Sequence, residues 1–484
     1  MKKYLFVLVF ALTAFCFAEN KPALSPAQCG YFDTYLSEIV EAYKIPGMAF
    51  IITDPNKTVY SGTYGQCQSL EQQFFIGSMS KSYTALSIMQ LVEKGLVKLD
   101  DDISVYLPEY RFEKKVSVLA LLNHTSGFDN HAKYKKARIT DSYGEYEYSN
   151  SNYDILGKII EAASGLSYEE YVQKNIFDPL GMADSKADAQ KLKNSSKLLT
   201  GNRNYFGFFK KGEADYPAEN SWFHEPAGFI ATTPAEHAKY LRMYLNGGLT
   251  EQGSRIISKE TIDSMWYENV PLSKDSTAFY GKGWNYMNVD GMKIVFHGGQ
   301  VENYITYMFI LPEKELGICF MINGNDEFGM NSLMDNVFWS SLKIFNGEKP
   351  DKVSHVSYFL IHLVLDVIYL LMLSLSLFIL LKGIKAKPNK QNNKRRAVKI
   401  TLNILGFIIW PLFLLTFTKL FIDTPLWVVK SFVPDLYIVI LASAAIAFLG
   451  GIISAVTFDR QSLHLNKSKE SRCGRPSQED DKAC

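Results

Sequence analysis

A serine and a lysine lie three residues apart at the start of a predicted helix. The stretch FFIGSMSKSYTALSIMQLVEKG, residues 74–95, contains Ser78 and Lys81, and the apolar spacing after them predicts a helix that ends at Gly95. Residues i and i+3 share one face of a helix, so the hydroxyl and the amine would be neighbours. Such a pair is a weak nucleophile beside a possible base. Taken alone, the pattern is more typical of a helix cap and a solvated lysine.

Two further short motifs place polar groups at the ends of predicted elements. Tyr148 and Asn150, in YEYSNSNYDILGKIIEAASG, come just before a predicted helix. His297 is followed by Gly298 and Gly299 at the end of the strand predicted in IVFHGGQVENY. Each motif has a structural explanation of its own, because the first resembles a capping turn and two glycines after a strand often mark a bulge. Their occurrence together with the serine–lysine pair favours a catalytic site.

In this order and at these separations, the three motifs resemble the active-site serine β-lactamase and penicillin-binding protein superfamily. The most similar branch is the class C β-lactamase-like serine hydrolases, which include D,D-peptidases, D-aminopeptidases and esterases. The resemblance extends to LLNHTSGF, residues 121–128, and to EPAGFIATTPAEHAKYLRMYLNGG, residues 225–248. It implies an α+β fold of the β-lactamase/D,D-peptidase type, with an antiparallel sheet flanked by helices and a helical subdomain.

The resemblance implies a catalytic set of Ser78, Lys81 and Tyr148. Ser78 would be the acylated nucleophile, Lys81 would help to deprotonate it, and Tyr148 would serve as a general base or proton shuttle. Serine must lose its proton as it attacks, so a base of lowered pKa is needed nearby. Burial and nearby positive charge would lower the pKa of Lys81, and a neighbouring ammonium would lower that of Tyr148. Which residue is the base is disputed even within related enzymes.

The resemblance also implies a substrate-binding set, which consists of Asn150, His297, Gly298, Gly299 and Gln300. Asn150 would contact the substrate's amide, the His-Gly-Gly strand would receive the substrate, and the N–H of Gln300 would form an oxyanion hole with that of the nucleophile. Related β-lactamases usually carry Lys-Thr-Gly where this chain has His-Gly-Gly, and a histidine is only partly charged near neutrality. The resemblance is therefore closer to the esterase- and peptidase-like members.

The elements around these motifs predict a sheet whose two halves are separated in the sequence. A helix over about 26–43 precedes strands in GMAFIIT and KTVYSGTYG, and strands in KIVFHG, YITYMFILP and ELGICFMIN precede a last helix over about 330–345. Helices are predicted between these halves, at about 116–123, 153–163, 167–175 and 234–245. We therefore expect a domain over residues 25–346 in which the first and last helices cover the sheet and a helical subdomain is inserted.

The two ends of the chain carry dense apolar segments. The start, MKKYLFVLVFALTAFCFAEN, has two lysines, a short apolar run and small residues before a cleavage site after Ala18, which predicts a signal peptide over 1–18. The segments 356–381, 401–422 and 436–458 are each long enough to cross a bilayer. We predict three transmembrane helices.

The distribution of basic residues predicts the orientation of these helices. The loop 382–399 contains eight Lys or Arg residues and no acidic residue, whereas residues 423–435 contain a single lysine. By the positive-inside rule the first loop and the tail 459–484 are cytoplasmic, and the second loop is outside. The signal peptide and the charges agree on a multi-pass protein of the cell membrane, with the hydrolase-like domain on the extracytoplasmic side.

Ionisable and small residues within the spans suggest how the helices pack. His362 and Asp366 lie four residues apart on one face of the first span, which favours a structural pairing of the two. Trp410-Pro411 predicts a kink in the second span, and Gly450 and Ser454 offer a close-packing face on the third.

Charge, cysteines and the remaining histidines limit the other function classes. The chain has 484 residues with 51 basic and 50 acidic ones, so its net charge of +1 gives no reason to expect a nucleic-acid partner. A disulfide between Cys29 and Cys67 is possible, and a free buried thiol is expected at Cys319. No cysteine spacing resembles a zinc site, and we predict neither a metal nor a cofactor.

We expect no catalytic or metal-binding role for the histidines outside the third motif. His124, in NHTSG, is expected to be structural. His131, His224 and His237 lack metal-ligand spacing and are expected in ordinary loop or surface positions.

These features favour a membrane-anchored serine hydrolase that acts through an acyl-enzyme on a small-molecule or peptide substrate at the cell envelope, possible substrates being cell-wall peptides, other amides and esters. Two alternatives stay open from the sequence. One is a penicillin- or wall-peptide-binding sensor without turnover, and the other is a true β-lactamase. The short polar tail offers little cytoplasmic output for a sensor.

Overall fold

The computed structural model describes residues 24–212, 216–385 and 405–473, and describes only the backbone at 330, 331, 405 and 454–473. The predicted signal peptide, most of the predicted cytoplasmic loop and the last part of the tail lie outside the described residues. The strands in the described part are, in chain order, β1 Gly47–Thr53, β2 Thr58–Gly65, β3 Phe74–Phe75, β4 Asn202–Tyr205, β5 Phe208–Lys211, β6 Ala231–Thr232, β7 Val270–Pro271, β8 Ala278–Gly281, β9 Trp284–Val289, β10 Met292–Val301, β11 Tyr304–Leu311, β12 Leu316–Ile322 and β13 Gly324–Asn325.

Several helices begin at a residue with a side-chain cap, as at Ser25, whose side chain forms a capping box with Gln28 at the first helix. In chain order the described helices are α1 Pro26–Ala42, α2 Ser80–Glu93, α3 Val118–Leu122, α4 Asn150–Ser164, α5 Tyr168–Val172, α6 Asp178–Leu180, α7 Pro234–Leu245, α8 Lys259–Tyr267, α9 Glu327–Phe345, α10 His355–Ile384, α11 Trp410–Ile422, α12 Leu426–Phe432 and α13 Pro434–Cys473.

The central sheet is antiparallel and has eight strands in the order β2-β1-β12-β11-β10-β9-β8-β7. Every residue of β1 and β12 is buried, and successive residues alternate between two apolar cores. Phe50 lies in the core shared with α1 and α9, whereas Ile51 and Cys319 lie in the core shared with the helical subdomain. Because both faces are covered, these strands are continuous apolar runs in the sequence.

The predicted architecture is confirmed, and the differences concern element ends and elements that were not predicted. The sheet is split in sequence, the first and last helices cover one face, and α2 to α8 fall between its halves. The last helix begins at Glu327, capped by Asp326, rather than near residue 330. The helix predicted at 167–175 is α-helical only as far as Val172, and a π-helical turn follows over Gln173–Phe177. Strands β7 to β9 were not predicted.

The cysteines in the folded domain are free. Cys29 is half-buried, and Cys67 and Cys319 are buried, with none of these three in a disulfide. The possible pairing of Cys29 with Cys67 is therefore not present, whereas the buried free thiol expected at Cys319 is found.

The C-terminal helices are apolar and long. By length and composition, α10, with 30 residues, and the Pro434–Ile453 part of α13, with 20, could each cross a membrane. The helix Gly406–Ile422 and α12 are bent by 83° relative to each other and would make a third crossing if counted as one broken span. A Cβ atom on Gly383 of α10 would lie 2.3 Å from the carbonyl oxygen of Gly450. The two helices therefore pack closely at small residues, as expected for Gly450.

The sequence suggested that His362 pairs with Asp366, and the structure shows a different partner. The Nε2 atom of His362 lies 2.7 Å from Oδ2 of Asp326, which precedes α9 in the hydrolase-like domain. The prediction was wrong because it considered only residues one helical turn apart, whereas Asp326 is 36 residues away in the sequence.

Candidate active site

Ser78 lies in a single 3₁₀ turn, Gly77–Met79, immediately before α2. Gly77 has a φ of +52°, and a Cβ atom there would lie 2.2 Å from the backbone nitrogen of Gln300. A Cβ atom on Gly299 would lie 1.9 Å from the carbonyl oxygen of Ile76. Only glycine fits at both positions, because the backbone of β10 approaches the serine turn too closely for a side chain. These two glycines therefore bring the predicted third motif against the first.

The structure brings the three predicted catalytic side chains together. The hydroxyl of Tyr148 donates to Oγ of Ser78 over 2.7 Å. Nζ of Lys81 lies 3.1 Å from the same oxygen. Ser78 is thus flanked by two groups that can exchange protons, although Tyr148 is 70 residues away in the chain.

Lys81 is buried beneath the serine and has two further polar partners. Its Nζ atom lies 2.7 Å from Oδ1 of Asn150 and 2.7 Å from the carbonyl oxygen of Ala227. Burial holds the pKa of Lys81 well below its ordinary range, although the negative charge of Asp154 opposes this shift. The neutral form of the amine is therefore populated at a lower pH than in an exposed lysine.

Tyr148 differs from the expectation. Burial raises the pKa of Tyr148, and its hydrogen bond with Ser78 offsets only part of that rise. The expected lowering by a neighbouring ammonium is wrong for this structure, because desolvation of the phenolate dominates and Tyr146 and Tyr153 raise the pKa further. Tyr148 therefore carries its proton at neutral pH.

His297 lies on β10 and is buried. Burial, assisted by the charge of Lys81, lowers the pKa of His297 to about 3. Its Nδ1 atom is 2.6 Å from the carbonyl oxygen of Gly298, and its Nε2 atom is 3.3 Å from the hydroxyl of Tyr280. His297 is therefore neutral at physiological pH, rather than partly charged as the sequence suggested, and supplies no fixed positive charge at the third motif.

An open cleft of about 360 Å³ contains all the predicted site residues except Lys81, which is buried below Ser78. The cleft is lined by Ser78, Asn130, Tyr146, Tyr148, Asn150, Trp222, Phe223, Tyr280, Asn285, His297, Gly298, Gly299, Gln300, Met334 and Phe432. The side chain of Gln300 is held by Oδ1 of Asn325 at 2.9 Å and by Oε2 of Glu327 at 2.6 Å. This fixes the strand position that was predicted to supply an oxyanion-hole N–H.

Sequence reasoning missed a buried ion pair behind Lys81. Oδ2 of Asp154 lies 2.9 Å from Nδ1 of His224, and Oδ1 of Asp154 accepts the backbone N–H of His224. Burial alone would lower the pKa of His224, but its bond to Asp154 raises it. The available signal was a carboxylate four residues after Asn150, on the same face of α4. Ala227 was also missed, because a backbone oxygen leaves no residue-type signal.

The other histidines are more involved in packing than expected. The ring of His131 stacks on Trp222, a cleft residue, with centroids 5.6 Å apart. His237 on α7 is fully buried, its Nδ1 atom is 2.9 Å from the hydroxyl of Tyr83, and burial lowers its pKa to about 3. The prediction of ordinary loop or surface positions is therefore wrong for His237. His124 is structural as expected, since its Nδ1 atom accepts the N–H of Ser149.

Comparison with known proteins agrees with this geometry. The sequence profile of the Beta-lactamase family matches residues 32–335. The chain belongs to the beta-lactamase family. Membership confirms the resemblance, the predicted fold class and the assignment to serine hydrolase-type proteins. In the part of this family member that the structure describes, no group of three or more His, Cys, Asp or Glu side chains is arranged to hold a metal ion.

Several relatives of this beta-lactamase family member are recognisable over the same region. Protein flp of Staphylococcus aureus strain MRSA252 is 24% identical over 336 residues, which cover 61% of this chain and 63% of that protein. The chain thus spans less than two thirds of that relative's length. Penicillin-binding protein 4 of Amycolatopsis lactamdurans is 24% identical over 294 residues, covering 55% of this chain and 76% of that protein.

Two solved structures share the fold. The octameric penicillin-binding protein homologue from Pyrococcus abyssi has a TM-score of 0.57 and 27% identity, covering 67% of this chain and 78% of that one. The D-amino acid amidase from Ochrobactrum anthropi SV3 has a TM-score of 0.52 and 21% identity, covering 66% and 98% respectively, which establishes likeness of fold alone.

Proposed function

We propose that this chain is a membrane-anchored serine hydrolase that acts through an acyl-enzyme on a peptide, amide or ester at the cell envelope. The observation that carries the proposal is the position of the Ser78 hydroxyl, 2.7 Å from that of Tyr148 and 3.1 Å from Nζ of Lys81, in an open cleft. A hydroxyl held between two proton-exchanging groups is suited to nucleophilic attack on a carbonyl carbon.

Lys81 is positioned to take the proton of Ser78. A neutral amine has two N–H donors and one lone pair. The oxygens of Asn150 and Ala227, both at 2.7 Å, accept the two N–H groups, which leaves the lone pair for the Ser78 hydroxyl. Because burial favours the neutral amine, this arrangement supports Lys81 as the general base.

Tyr148 is suited to donate a proton, whereas Lys81 accepts one. As Oγ of Ser78 bonds to the carbonyl carbon, its proton passes to Lys81, and the N–H groups of Ser78 and Gln300 meet the developing oxyanion. When the bond to the leaving group breaks, that group takes the proton of Tyr148. Lys81, whose Nζ is 4.7 Å from the centre of the Tyr148 ring, then restores that proton. Water attacks the acyl-serine by the reverse sequence of proton transfers.

The neutral third motif supports an ester, amide or peptide substrate over efficient penicillin hydrolysis. A lysine at that position would offer a permanent charge to a substrate carboxylate, which a neutral His297 does not. Two relatives are a penicillin-binding protein and a homologue of one, so penicillin remains a useful probe of the serine.

The membrane topology is part of the proposal. The apolar helices α10 and α13 support anchoring, and the basic residues of 382–399 support a cytoplasmic position for that loop. The cleft would then face the extracytoplasmic side, where cell-wall peptides and envelope esters are found.

The test is an intact-mass time course of the full chain in detergent with benzylpenicillin, beside the Ser78→Ala variant, together with hydrolysis of p-nitrophenyl acetate. Ser78-dependent release of nitrophenol is the expected result, and its absence with every ester and peptide tried would contradict a hydrolase. A lasting penicillin adduct without ester turnover would indicate a sensor. A transient adduct with loss of the drug would indicate a β-lactamase.

A further inference from the structure

The short helix α12 contacts the rim of the candidate active site. Phe432, its last residue, lines the cleft that contains Ser78. Trp427 packs edge-on against Trp222, with ring centroids 5.1 Å apart and an interplanar angle of 81°. Phe432 reaches the same indole at 6.4 Å. One lining residue of the cleft, Phe432, therefore comes from the C-terminal region, outside residues 32–335, where the family profile matches.

On the proposed topology, the connections of α12 place this part of the cleft rim at the membrane surface. Three residues separate the end of the apolar helix α11 at Ile422 from the start of α12, and one residue separates α12 from α13. The chain bends by 83° between the preceding apolar helix and α12, so α12 runs across the direction of the candidate span. If residues 401–422 form a span of their own, as the sequence predicts, α12 is a short tryptophan-bearing helix between two spans, which is typical of the membrane–water interface.

The lining of the cleft combines aromatic and polar groups. Trp222, which contacts α12, lines it with Phe223 and Phe432, and polar groups such as Asn150 and Gln300 also line it. A volume of about 360 Å³ accommodates a small head group but not a long chain as well. Beyond the rim, the last turn of α11 leaves further apolar side chains exposed, among them Leu420 and Phe421 at 73% each.

On the basis of the proposed function and topology, we propose that the substrate is an amphiphile in the outer leaflet of the cell membrane. Its apolar chain remains in the bilayer beside α12, and its scissile ester or amide carbonyl enters the cleft to reach Ser78. An anchor that merely tethers the domain needs no contact with the active site. In this chain α12 instead supplies Phe432 to the cleft lining and packs Trp427 against Trp222, so a substrate held in the bilayer would approach along this helix.

The test compares two esters with the same leaving group. The full chain is reconstituted in phosphatidylcholine vesicles and assayed with water-soluble p-nitrophenyl acetate and with membrane-inserted p-nitrophenyl myristate. The variants Trp427→Ala and Phe432→Ala are expected to lower the myristate-to-acetate ratio of kcat/KM by about tenfold, as loss of an aromatic contact predicts. Labelling of Ser78 by a fluorophosphonate counts the folded active sites in each preparation.

Trp339→Ala is the matched control. Trp339 and Trp427 are both 43% exposed, but Trp339 lies on α9 and is not among the cleft residues, so its removal should leave the ratio unchanged. If acetate hydrolysis depends on Ser78 while the α12 variants keep the wild-type ratio, the amphiphile proposal is overturned and the hydrolase proposal stands. If neither ester is hydrolysed in a Ser78-dependent way, both are overturned.

Discussion

Nε2 of His362, on α10, lies 2.7 Å from Oδ2 of Asp326, the residue that caps α9. The hydroxyl of Tyr358, also on α10, donates to the same oxygen over 2.8 Å. The next residue, Glu327, accepts the side-chain amide of Gln300 at the cleft. A short series of hydrogen bonds and one peptide link therefore joins the first candidate span to the strand that was predicted to supply an oxyanion-hole N–H.

We expect His362→Ala to lower the free energy of unfolding by about 1–3 kcal/mol, because a buried carboxylate loses a hydrogen-bond partner. Unfolding of the full chain in detergent, followed by circular dichroism, measures this loss. The control is Asp366→Asn, which should change stability far less, and His362→Ala should add little in an Asp326→Asn background. Equal losses from His362→Ala and Asp366→Asn would instead favour a pairing within the span.

The local part of the site could be predicted from the sequence, and the long-range part could not. The spacing of Ser78 and Lys81 and the glycines after His297 are properties of single elements, so short motifs carried them. The carbonyl of Ala227, the ion pair of Asp154 and the contact of α12 with the cleft depend on segments far apart in the chain. No periodicity reports such contacts.

The fold shows the same division. The fully apolar strands β1 and β12 were predictable because burial on both faces leaves an unbroken apolar run. Strands β8 and β9 were missed because several of their residues are only partly buried and their pattern is mixed. The predicted direction of the pKa shift at Tyr148 was wrong for another reason, because that direction depends on how desolvation compares with nearby charge.

We expect Lys81→Met to slow acylation of Ser78 by about 10²–10⁴-fold, the usual contribution of a general base. In the wild type the acylation rate should rise with pH as Lys81 loses its proton and reach its plateau well below the ordinary lysine pKa, because burial lowers the pKa of this amine. Fluorophosphonate labelling across pH measures both effects. Lys94→Met, an exposed position just after the same helix, is the control. A labelling rate that rises only near the ordinary lysine pKa would contradict the role assigned to Lys81.

We expect acid to destabilise the fold partly through His237. Its folded-state pKa of about 3 lies below the ordinary histidine value near 6.5, so between these values the unfolded chain binds the additional proton. The free energy of unfolding therefore falls as pH falls through this window, by about 1.4 kcal/mol per pH unit for one group. His237→Gln should reduce that slope by this amount in denaturant titrations at several pH values. His355→Gln, at an exposed position on α10, is the control, and an unchanged slope in His237→Gln would contradict the assignment.

The close approach of β10 to the serine turn gives the last prediction. Gly77 and Gly95 both have positive φ, at +52° and +70°, so alanine at either position costs about 1–2 kcal/mol in backbone strain. Only at Gly77 would the new Cβ atom also collide with the backbone, 2.2 Å from the nitrogen of Gln300, whereas at Gly95 nothing lies within 4 Å. Gly77→Ala should therefore separate the serine turn from β10 and slow labelling of Ser78 by about 10²-fold or more, the usual effect of losing an oxyanion-hole donor. Gly95→Ala should lose stability but keep the wild-type labelling rate, and equal labelling in the two variants would mean that contact between this turn and β10 is not needed for acylation.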